Sequence, residues 1–482
     1  MSLTSESPLT GLWPPTTWRS TFVWLCQWFN DFAPLGALGE VGRNSKTGDS
    51  AVHLPDQLVP PNKLDPSGSL DGALATHPPR GDTAEDICAA VELKFLLPVP
   101  PIIAAGDHNS HQTESQADPQ AWAATNEASL ARRAYELIAQ TIQNHAGQRS
   151  VTLHDIVASG HQERDFWPTH WIVKKANSAK LLDEDDYDDG HEDKTHAGHH
   201  WVPVEVCSPK LQWKGTKPGT GPAIGAVLKA LTARHRGIVA NHTCDVHVHV
   251  GRADGRHFAL PTLKRLATVL WLAEDVLRSV RDPASPNFHN VYTWGAEVRR
   301  HSRLAAVVEQ QDADRGPTPP LDSMAGGGDL AAAAAATAAV DPAEYRAISM
   351  IWEAGSHLEL GRLLSGSTRQ YRRLGFNFSS LGEEDERARN GPKTVEFRVL
   401  EGTLRDGVVL PWTRICCTLV EIAVADPEDR FRDVVGCLLG KAGGEGGAAG
   451  MQHRFGDFMH CLGIAPGVAD AFLESVYRDR AG

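Results

Sequence analysis

Four short segments of the chain alternate apolar residues with acidic, imidazole or cationic side chains. They read VELKF at residues 91–95, VEV at 204–206, VHVHV at 246–250 and VEFRV at 395–399. Because side chains in a β-strand point alternately to its two faces, each segment would separate its apolar residues from its polar ones. The polar face would then carry Glu92, Lys94, Glu205, His247, His249, Glu396 and Arg398.

Such a face suits a metal ion. An ordinary solvated sheet face carries mostly Thr, Ser, Lys and Gln, whereas this one offers three carboxylates and two imidazoles. Oxygen ligands suit Mg²⁺, and imidazole nitrogens also suit transition metals. Mg²⁺ held there would bridge nucleotide phosphates, and the guanidinium of Arg398 would donate to phosphate oxygens. The pattern therefore favours phosphoryl transfer from ATP, although the chain has no Walker-type phosphate loop.

The elements that position these side chains are strands and helices mixed without regular βαβ alternation. Alternating apolar residues predict strands at 90–99, 151–156, 170–174, 202–206, 245–251, 371–380 and 394–401. Apolar residues at helical spacing predict helices at 120–145, 225–235, 261–281, 342–353 and 411–425, with further helix toward Arg480. This irregular mixture predicts an α+β fold with an antiparallel sheet.

The domain organisation follows from composition. Residues 1–84 are rich in Pro, Gly and Ser and predict a mostly disordered arm, with a Trp-rich patch at 13–32. Residues 85–482 predict one catalytic domain with disordered insertions near 180–200 and 305–341. The first insertion is acidic and His-rich, and it supplies much of the formal net charge of −13. The second is low in complexity and ends in a poly-Ala tract.

Composition also bounds the partners and the compartment. The chain has no clustered basic segment, so the sequence does not predict nucleic-acid binding. It shows no long apolar stretch and no signal peptide, so the sequence does not predict a membrane association. The eight cysteines are scattered without CxxC spacing, which favours reduced thiols over a disulfide framework. We therefore expect a cytoplasmic protein. Its oligomeric state stays open.

Several motifs, in this order, resemble those of the amidoligase family, carboxylate–amine ligases related to glutamine synthetase and glutamate–cysteine ligase. The resemblance covers roughly residues 88–425. Its carriers are VELKF at 91–95, the segment 171–178, EVCSP at 205–209, TCDVHVHVG at 243–251, and TVEFR at 394–398 followed by EGT at 401–403.

The resemblance implies a glutamine-synthetase-like antiparallel sheet with a metal and nucleotide face, and with helices packed on the other face. It implies ATP and Mg²⁺ as cofactors, and small-molecule or peptide carboxylates and amines as substrates. The implied metal ligands are Glu92, Glu205, His247 and Glu396. The implied catalytic residues are Arg398 and Glu396, and Lys94 is predicted to join them at a position where the family has another residue. The predicted nucleotide contacts are Arg398, Lys94 and His249, and His249 could instead be a second metal ligand. The implied substrate contacts are Ser208, Tyr371 and Asn377.

Three positions depart from the family pattern. Lys94 stands where the family has a second Glu, Ala176 where it has an Asp, and Asp245 where it favours Gly. Lys94 is compatible with a one-metal site and also with a site that no longer turns over. Two alternatives therefore stay open: a pseudoenzyme or binding protein on the same fold, and a transition-metal hydrolase or oxygenase that uses both histidines with a Glu.

Overall fold

A computed structural model describes residues 81–100, 119–180, 200–214, 220–281, 296–315, 341–366, 373–382, 391–424, 428–440 and 448–477. A compact unit spans Asp82–Gly482. Residues 1–80 of the predicted arm, with its Trp-rich patch, lie outside the described residues, and so do residues 181–199 of the acidic His-rich insertion and the poly-Ala tract. Residues 81–84, predicted as part of the arm, belong to the ordered fold.

The described part of the chain contains eight strands and twelve α-helices. The strands are β1 Ile87–Val99, β2 Ser150–Thr152, β3 Trp171–Lys175, β4 His200–Cys207, β5 Leu211–Gln212, β6 Val246–Arg252, β7 Phe376–Asn377 and β8 Thr394–Phe397. The first seven helices are α1 Pro119–His145, α2 Leu153–Ala158, α3 Thr220–Arg234, α4 Leu260–Arg278, α5 Val298–His301, α6 Arg303–Arg315 and α7 Pro342–Glu353. The others are α8 His357–Leu363, α9 Asp406–Val424, α10 Glu428–Gly440, α11 Ala448–Cys461 and α12 Pro466–Tyr477.

All eight strands join one sheet in the order β2-β3-β4-β1-β6-β8-β7, with β5 paired to β1. Only the β2–β3 pair among these is parallel, and every other pairing is antiparallel. The predicted α+β class with an antiparallel sheet is therefore confirmed in its main feature. The long strand β1 lies at the centre, where β4 and β6 flank it.

The apolar halves of the alternating strands form the core. Val91, Leu93 and Phe95 of β1 and Val248 of β6 are fully buried. Helix α1 packs against β3 and β4, and helix α9 packs against β1 and β6. Because side chains alternate along a strand, this burial directs the charged residues of the same strands away from the core.

Helix α9 is long and apolar enough to cross a bilayer by length and composition alone, but 72% of that stretch is buried inside the fold. It is therefore a core helix of this domain. Its predicted start at Pro411 is wrong, because the helix begins five residues earlier, at Asp406. Pro411 lacks an N–H and removes one helical hydrogen bond, but the surrounding turns continue through it.

Three predicted strands are shorter than their apolar patterns indicated, and the one predicted over 394–401 ends at Phe397. The strand predicted over 151–156 ends at Thr152, because the Thr152 hydroxyl accepts a hydrogen bond from Asp155 N at 3.1 Å and caps helix α2. The strand predicted over 371–380 is reduced to Phe376–Asn377 within the described residues. There the Asn377 side chain accepts from Ser379 N at 2.9 Å and turns the chain into a 3₁₀ turn.

Two further expectations need correction. The insertion predicted from residue 305 begins later, because helix α6 continues to Arg315. The expectation of reduced cysteines is wrong for one pair, since Cys437 of α10 and Cys461 of α11 form a disulfide. The five remaining described cysteines are free thiols: Cys88, Cys207, Cys244, Cys416 and Cys417.

Candidate active site

The sheet brings the predicted polar residues together on one face. In the strand register, Glu92 lies opposite His247, and His249 lies opposite Glu396. On the other side of β1, Lys94 lies opposite Glu205. The side chains border one cavity of ≈ 990 Å³. The structure therefore confirms that these four strands carry their polar side chains on one face, and the function of that face stays a prediction.

Glu92 joins the two histidines of β6. Its Oε2 lies 2.9 Å from His247 Nδ1, and its Oε1 lies 3.1 Å from His249 Nε2. Oxygen and nitrogen atoms of Glu92, His249 and Glu396 all lie within 4.8 Å of one another. A single cation placed among these atoms would meet two carboxylates and an imidazole.

Glu396 closes the other side of this cluster. Its Oε1 lies 3.1 Å from His247 Nδ1, and its Oε2 accepts a hydrogen bond from Asn377 Nδ2 at 2.6 Å. Arg398, two residues along the chain, donates to the same carboxylate. Arg398 is 2% exposed and Glu396 is 6% exposed, so this ion pair forms part of the buried floor.

The surroundings hold the two carboxylates in their charged form. Burial opposes the ionisation of Glu92, but His249 and His247 outweigh it and hold the pKa of this carboxyl well below its usual range. Burial also opposes the ionisation of Glu396, but Arg398 and the two histidines hold its pKa well below its usual range. Both groups are therefore anionic at neutral pH and able to bind a cation.

Lys94 places a positive charge where the family pattern has a glutamate. Its Nζ lies 3.3 Å from His247 Nδ1 and 3.4 Å from His247 Nε2, and the side chain is buried. Burial, Arg398 and Lys94 all lower the pKa of His247, but the carboxylates of Asp245 and Glu396 outweigh them and raise it. The ammonium thus lies beside the imidazole, deep in the cleft.

Glu205 lies in a second group of polar side chains, on the β3 side of the cleft. Its carboxylate is 3.4 Å from Lys174 Nζ, and the same Lys174 nitrogen is 2.8 Å from Glu163. Ligand atoms of Glu92, Glu205 and Cys207 lie within 4.8 Å of one another. Glu205 therefore borders the site, but its carboxylate forms an ion pair with Lys174.

Cys207 is the thiol that lines this second group. Its Sγ lies 3.4 Å from Glu205 Oε1, and burial together with the nearby carboxylates raises the pKa of the thiol well above its usual value, against the pull of Lys174. A thiol that stays protonated is a poor nucleophile. The arrangement favours a packed hydrogen-bond donor over a catalytic cysteine.

The predicted substrate contacts have different outcomes. Asn377 lines the cavity and holds Glu396. Ser208 also lines it, but its hydroxyl accepts from Val91 N at 2.9 Å and donates to Pro209 O at 3.0 Å, so both bonds serve the backbone. Tyr371 lies outside the described residues.

Two residues of this face stood outside the sequence prediction. Lys174 falls in a predicted strand, and only the register of β3 against β4 shows that it meets Glu205. Asp245 precedes β6, and the alternation 245, 247, 249 is the signal that could have placed it on the same face. Ala176, the third departure, is buried in an apolar cluster with Leu96 and Cys244.

Comparison with known proteins gives one family match. A family model described as "Putative amidoligase enzyme" matches residues 134–314. This segment of the chain is similar to the amidoligase family. The predicted resemblance is confirmed for these residues, and the match supports a ligase-type enzyme. The comparisons with curated proteins and with solved structures gave no match.

The amidoligase match contains only part of the site. Glu205, His247 and His249 lie inside it, whereas Glu92 and Lys94 precede it and Glu396 and Arg398 follow it. The fold joins the two sets, because β1 and β8 both pair with β6. The amidoligase segment and its flanking strands therefore build one site.

Proposed function

We propose that this protein is an ATP-dependent carboxylate–amine ligase with a glutamine-synthetase-like sheet that acts through an acyl phosphate. The observation that carries the proposal is the cluster of Glu92, Glu396 and the two histidines, with Arg398 beside it in the same cleft. The family match supports the ligase class, and the cluster supplies the residues that phosphoryl transfer requires.

The donor set fits one divalent cation. Glu92 and Glu396 offer two anionic carboxylates and His249 an imidazole, with their ligand atoms within 4.8 Å of one another. The Nδ1 atom of His247 faces the same two carboxylates. Mg²⁺ bound there would neutralise phosphate charge during transfer of the γ-phosphoryl group. Among the predicted metal ligands, Glu205 has the least structural support, because its carboxylate already faces the ammonium of Lys174.

The proposed reaction has two displacements. A carboxylate oxygen of the first substrate attacks the γ-phosphorus of ATP, and the bond from that phosphorus to ADP breaks. The amine nitrogen of the second substrate then attacks the acyl carbon, phosphate leaves, and the nitrogen loses a proton. Arg398 and Lys94 are buried cations that stabilise the negative charge on the transferred group.

The cleft also has the size and the charge for such substrates. Its ≈ 990 Å³ is within the range of small-molecule sites and large enough for more than one ligand group. Lysine and arginine side chains line it beyond the metal cluster, and they would attract phosphates and carboxylates: Lys174, Lys175, Lys210, Arg373 and Lys393. Small-molecule or peptide carboxylates and amines are therefore the proposed substrates.

A second candidate function is nucleotide binding without turnover. The observation that favours it is the contact of Lys94 Nζ with both ring nitrogens of His247, which places a fixed charge beside a proposed ligand. The transition-metal alternative rests on the approach of both histidines to Glu92. These candidates differ in their ligands and in ATP hydrolysis.

A thermal-shift titration with ATP, with and without Mg²⁺, tests the proposal on the full chain. A ligand that binds only the folded state adds about 2.7 kcal/mol to the free energy of unfolding at a hundredfold excess over its Kd. We expect an Mg²⁺-dependent shift that Glu396→Ala removes. Glu127→Ala, an exposed carboxylate on α1, is the matched control and should keep the shift.

The outcomes separate the candidates. An Mg²⁺-dependent shift followed by phosphate release with carboxylate and amine pairs supports the ligase. The same shift without phosphate release under any pair supports the binding protein. A shift with Zn²⁺ or Fe²⁺ and none with ATP would contradict both and favour the transition-metal enzyme.

A further inference from the structure

Asp245 is a buried carboxylate that the mechanism above does not use. The residue is 0% exposed, and neither Oδ1 nor Oδ2 has a hydrogen-bond partner within the described part of the chain. Burying an ionisable group without hydrogen bonds is costly. Such a group in a folded protein therefore needs a neighbour that compensates it.

The neighbours of Asp245 belong to the proposed cation site or lie beside it. Asp245 Oδ2 lies 3.8 Å from His247 Nε2, a distance beyond hydrogen bonding but within ion-pair contact. The Lys94 backbone N donates to Asp245 O at 3.3 Å, so the two residues are opposite each other across β1 and β6. The carboxylate thus lies behind the imidazole, on the side away from Glu92.

The two ring nitrogens of His247 face different carboxylates. Nδ1 faces Glu92 and Glu396 at 2.9 and 3.1 Å, the two groups proposed to hold the cation. Nε2 faces Asp245. When Nδ1 gives its lone pair to a metal, the proton of the neutral ring must be on Nε2, directed at Asp245.

We propose that Asp245 is the positioning residue that orients His247 as a metal ligand. In this role its negative charge attracts the Nε2–H group across 3.8 Å and fixes the ring so that Nδ1 faces the cation. Metal-binding histidines commonly donate their second nitrogen to a carboxylate, and loss of that partner weakens metal affinity about 10- to 100-fold. This inference rests on the proposed function, since it requires a cation between Glu92 and Glu396.

The arrangement also accounts for the place of Lys94. An ammonium 3.3 Å from Nδ1 competes with a metal for the lone pair of that nitrogen. The Asp245 carboxylate, just before the strand beside Lys94, attracts the Nε2 proton, which leaves the Nδ1 lone pair for the cation. Lys94 and Asp245 are then complementary departures at neighbouring positions of one sheet.

The test is a double-mutant cycle on Mn²⁺ affinity, measured with the full chain by electron paramagnetic resonance of free Mn²⁺. We expect Asp245→Asn to weaken Mn²⁺ binding 10- to 100-fold and His247→Gln to weaken it at least as much. The double variant should bind no more weakly than His247→Gln alone, because Asp245 acts through the imidazole. Asp245→Ser serves as a second variant if Asp245→Asn does not fold.

Glu274→Gln is the matched control, a carboxylate that is 1% exposed and holds a helix outside the cavity. Its Mn²⁺ affinity should equal that of the wild type. Unchanged affinity in both Asp245 variants would overturn the inference, and so would an equal loss in the His247→Gln background. A wild-type protein that binds no Mn²⁺ would instead overturn the proposed function, and the inference with it.

Discussion

Lys94 places a buried positive charge at the centre of the site. It is 4% exposed, lies opposite Glu205 in the strand register, and contacts both nitrogens of His247. A buried ammonium amid carboxylates supplies one fixed positive charge, which a divalent cation would otherwise supply. The cleft is therefore suited to one metal ion beside a lysine.

Lys94→Glu tests this interpretation. The new carboxylate would join Glu92 and Glu205, so we expect Mn²⁺ binding to rise from one to two ions per chain and its overall affinity to increase about tenfold. Without metal the variant should be less stable than the wild type, because like charges then repel in a buried cleft. Isothermal titration of Mn²⁺ and thermal unfolding in a chelator measure the two effects.

The control is Lys175→Glu, which changes an exposed lysine at the border of the same cavity. It should leave both the number of bound ions and the stability in chelator unchanged. Unaltered or weaker Mn²⁺ binding by Lys94→Glu would remove the argument that the lysine takes the place of a metal.

The candidate site was largely predictable at the level of single residues. Period-two alternation alone placed Glu92, His247, His249 and Glu396 on polar faces, and the sheet joins those faces. Strand order and register were not readable, because they depend on contacts between distant segments. For that reason the approach of Lys174 to Glu205, and of Asp245 to His247, appears only in the structure.

At the scale of elements, long periodic helices were predicted well and short ones were not. The helix at 342–353 has the predicted bounds, since Asp341 caps it by accepting from Ala343 N and Pro342 opens it. The apolar stretch at 151–156 gave a strand prediction because alternation cannot detect a capping hydrogen bond. Local side-chain bonds by Thr152 and Asn377 decided those two endings.

Helix α4 carries a buried carboxylate with a testable pH dependence. Glu274 accepts hydrogen bonds from Val298 N and Arg299 N at 2.7 and 2.8 Å and so holds the start of α5. Burial raises the pKa of Glu274 to about 7, against the opposing effect of those N–H groups and Arg278. Between the ordinary Glu pKa and about 7, the folded state retains a proton that the unfolded state has lost.

The free energy of unfolding should therefore fall as pH rises through that window, by at most roughly 3 kcal/mol at 1.36 kcal/mol per pKa unit. Glu274→Gln cannot ionise, so we expect this part of the pH slope to vanish. The variant should be less stable at pH 5, where it loses an acceptor, and the deficit should shrink by pH 8. Urea unfolding from pH 5 to pH 8 measures the slope, and an unchanged slope would contradict the assignment.

Helices α10 and α11 are joined by the Cys437–Cys461 disulfide, which closes a loop with a sequence separation of 24. A crosslink over such a loop lowers the conformational entropy of the unfolded chain, which stabilises the folded state by about 3 kcal/mol. We expect Cys437→Ser with Cys461→Ser to lower the free energy of unfolding by up to that amount. The Mg²⁺-ATP shift should persist, since neither cysteine borders the cavity.

Reduction of the wild type with dithiothreitol provides the matching comparison. It should lower the stability of the wild type to that of the double variant and leave the double variant unchanged. Equal stability of oxidised and reduced wild type would show that this crosslink does not stabilise the fold.

At the scale of the whole molecule, the site and its supports fall within the compact unit that begins at Asp82. Asp82, the first residue of this unit, connects strand β6 to helix α4. Its carboxylate pairs with Arg252 at the end of β6 and accepts from Ala259 N and Thr262 Oγ1 at the start of α4. The domain boundary predicted at residue 85 would leave this carboxylate out.

Two shortened chains test how much of the protein the site needs. A chain of residues 81–482 keeps Asp82 and every described side chain of the cleft, so its Mg²⁺-ATP affinity should lie within about twofold of the full chain, and its unfolding temperature should be similar. A chain of residues 87–482 lacks Asp82, and Arg252 then loses a buried partner. Arg252 keeps Asp254 as a partner at 2.8 Å, so the loss should be smaller than the roughly 3–5 kcal/mol of an uncompensated buried charge, and this second chain should still unfold at a lower temperature. A tenfold loss of nucleotide affinity in the longer of the two chains would mean that residues 1–80 contribute to the ligand site. Equal stability of the two chains would mean that Asp82 does not fix the end of β6 to α4.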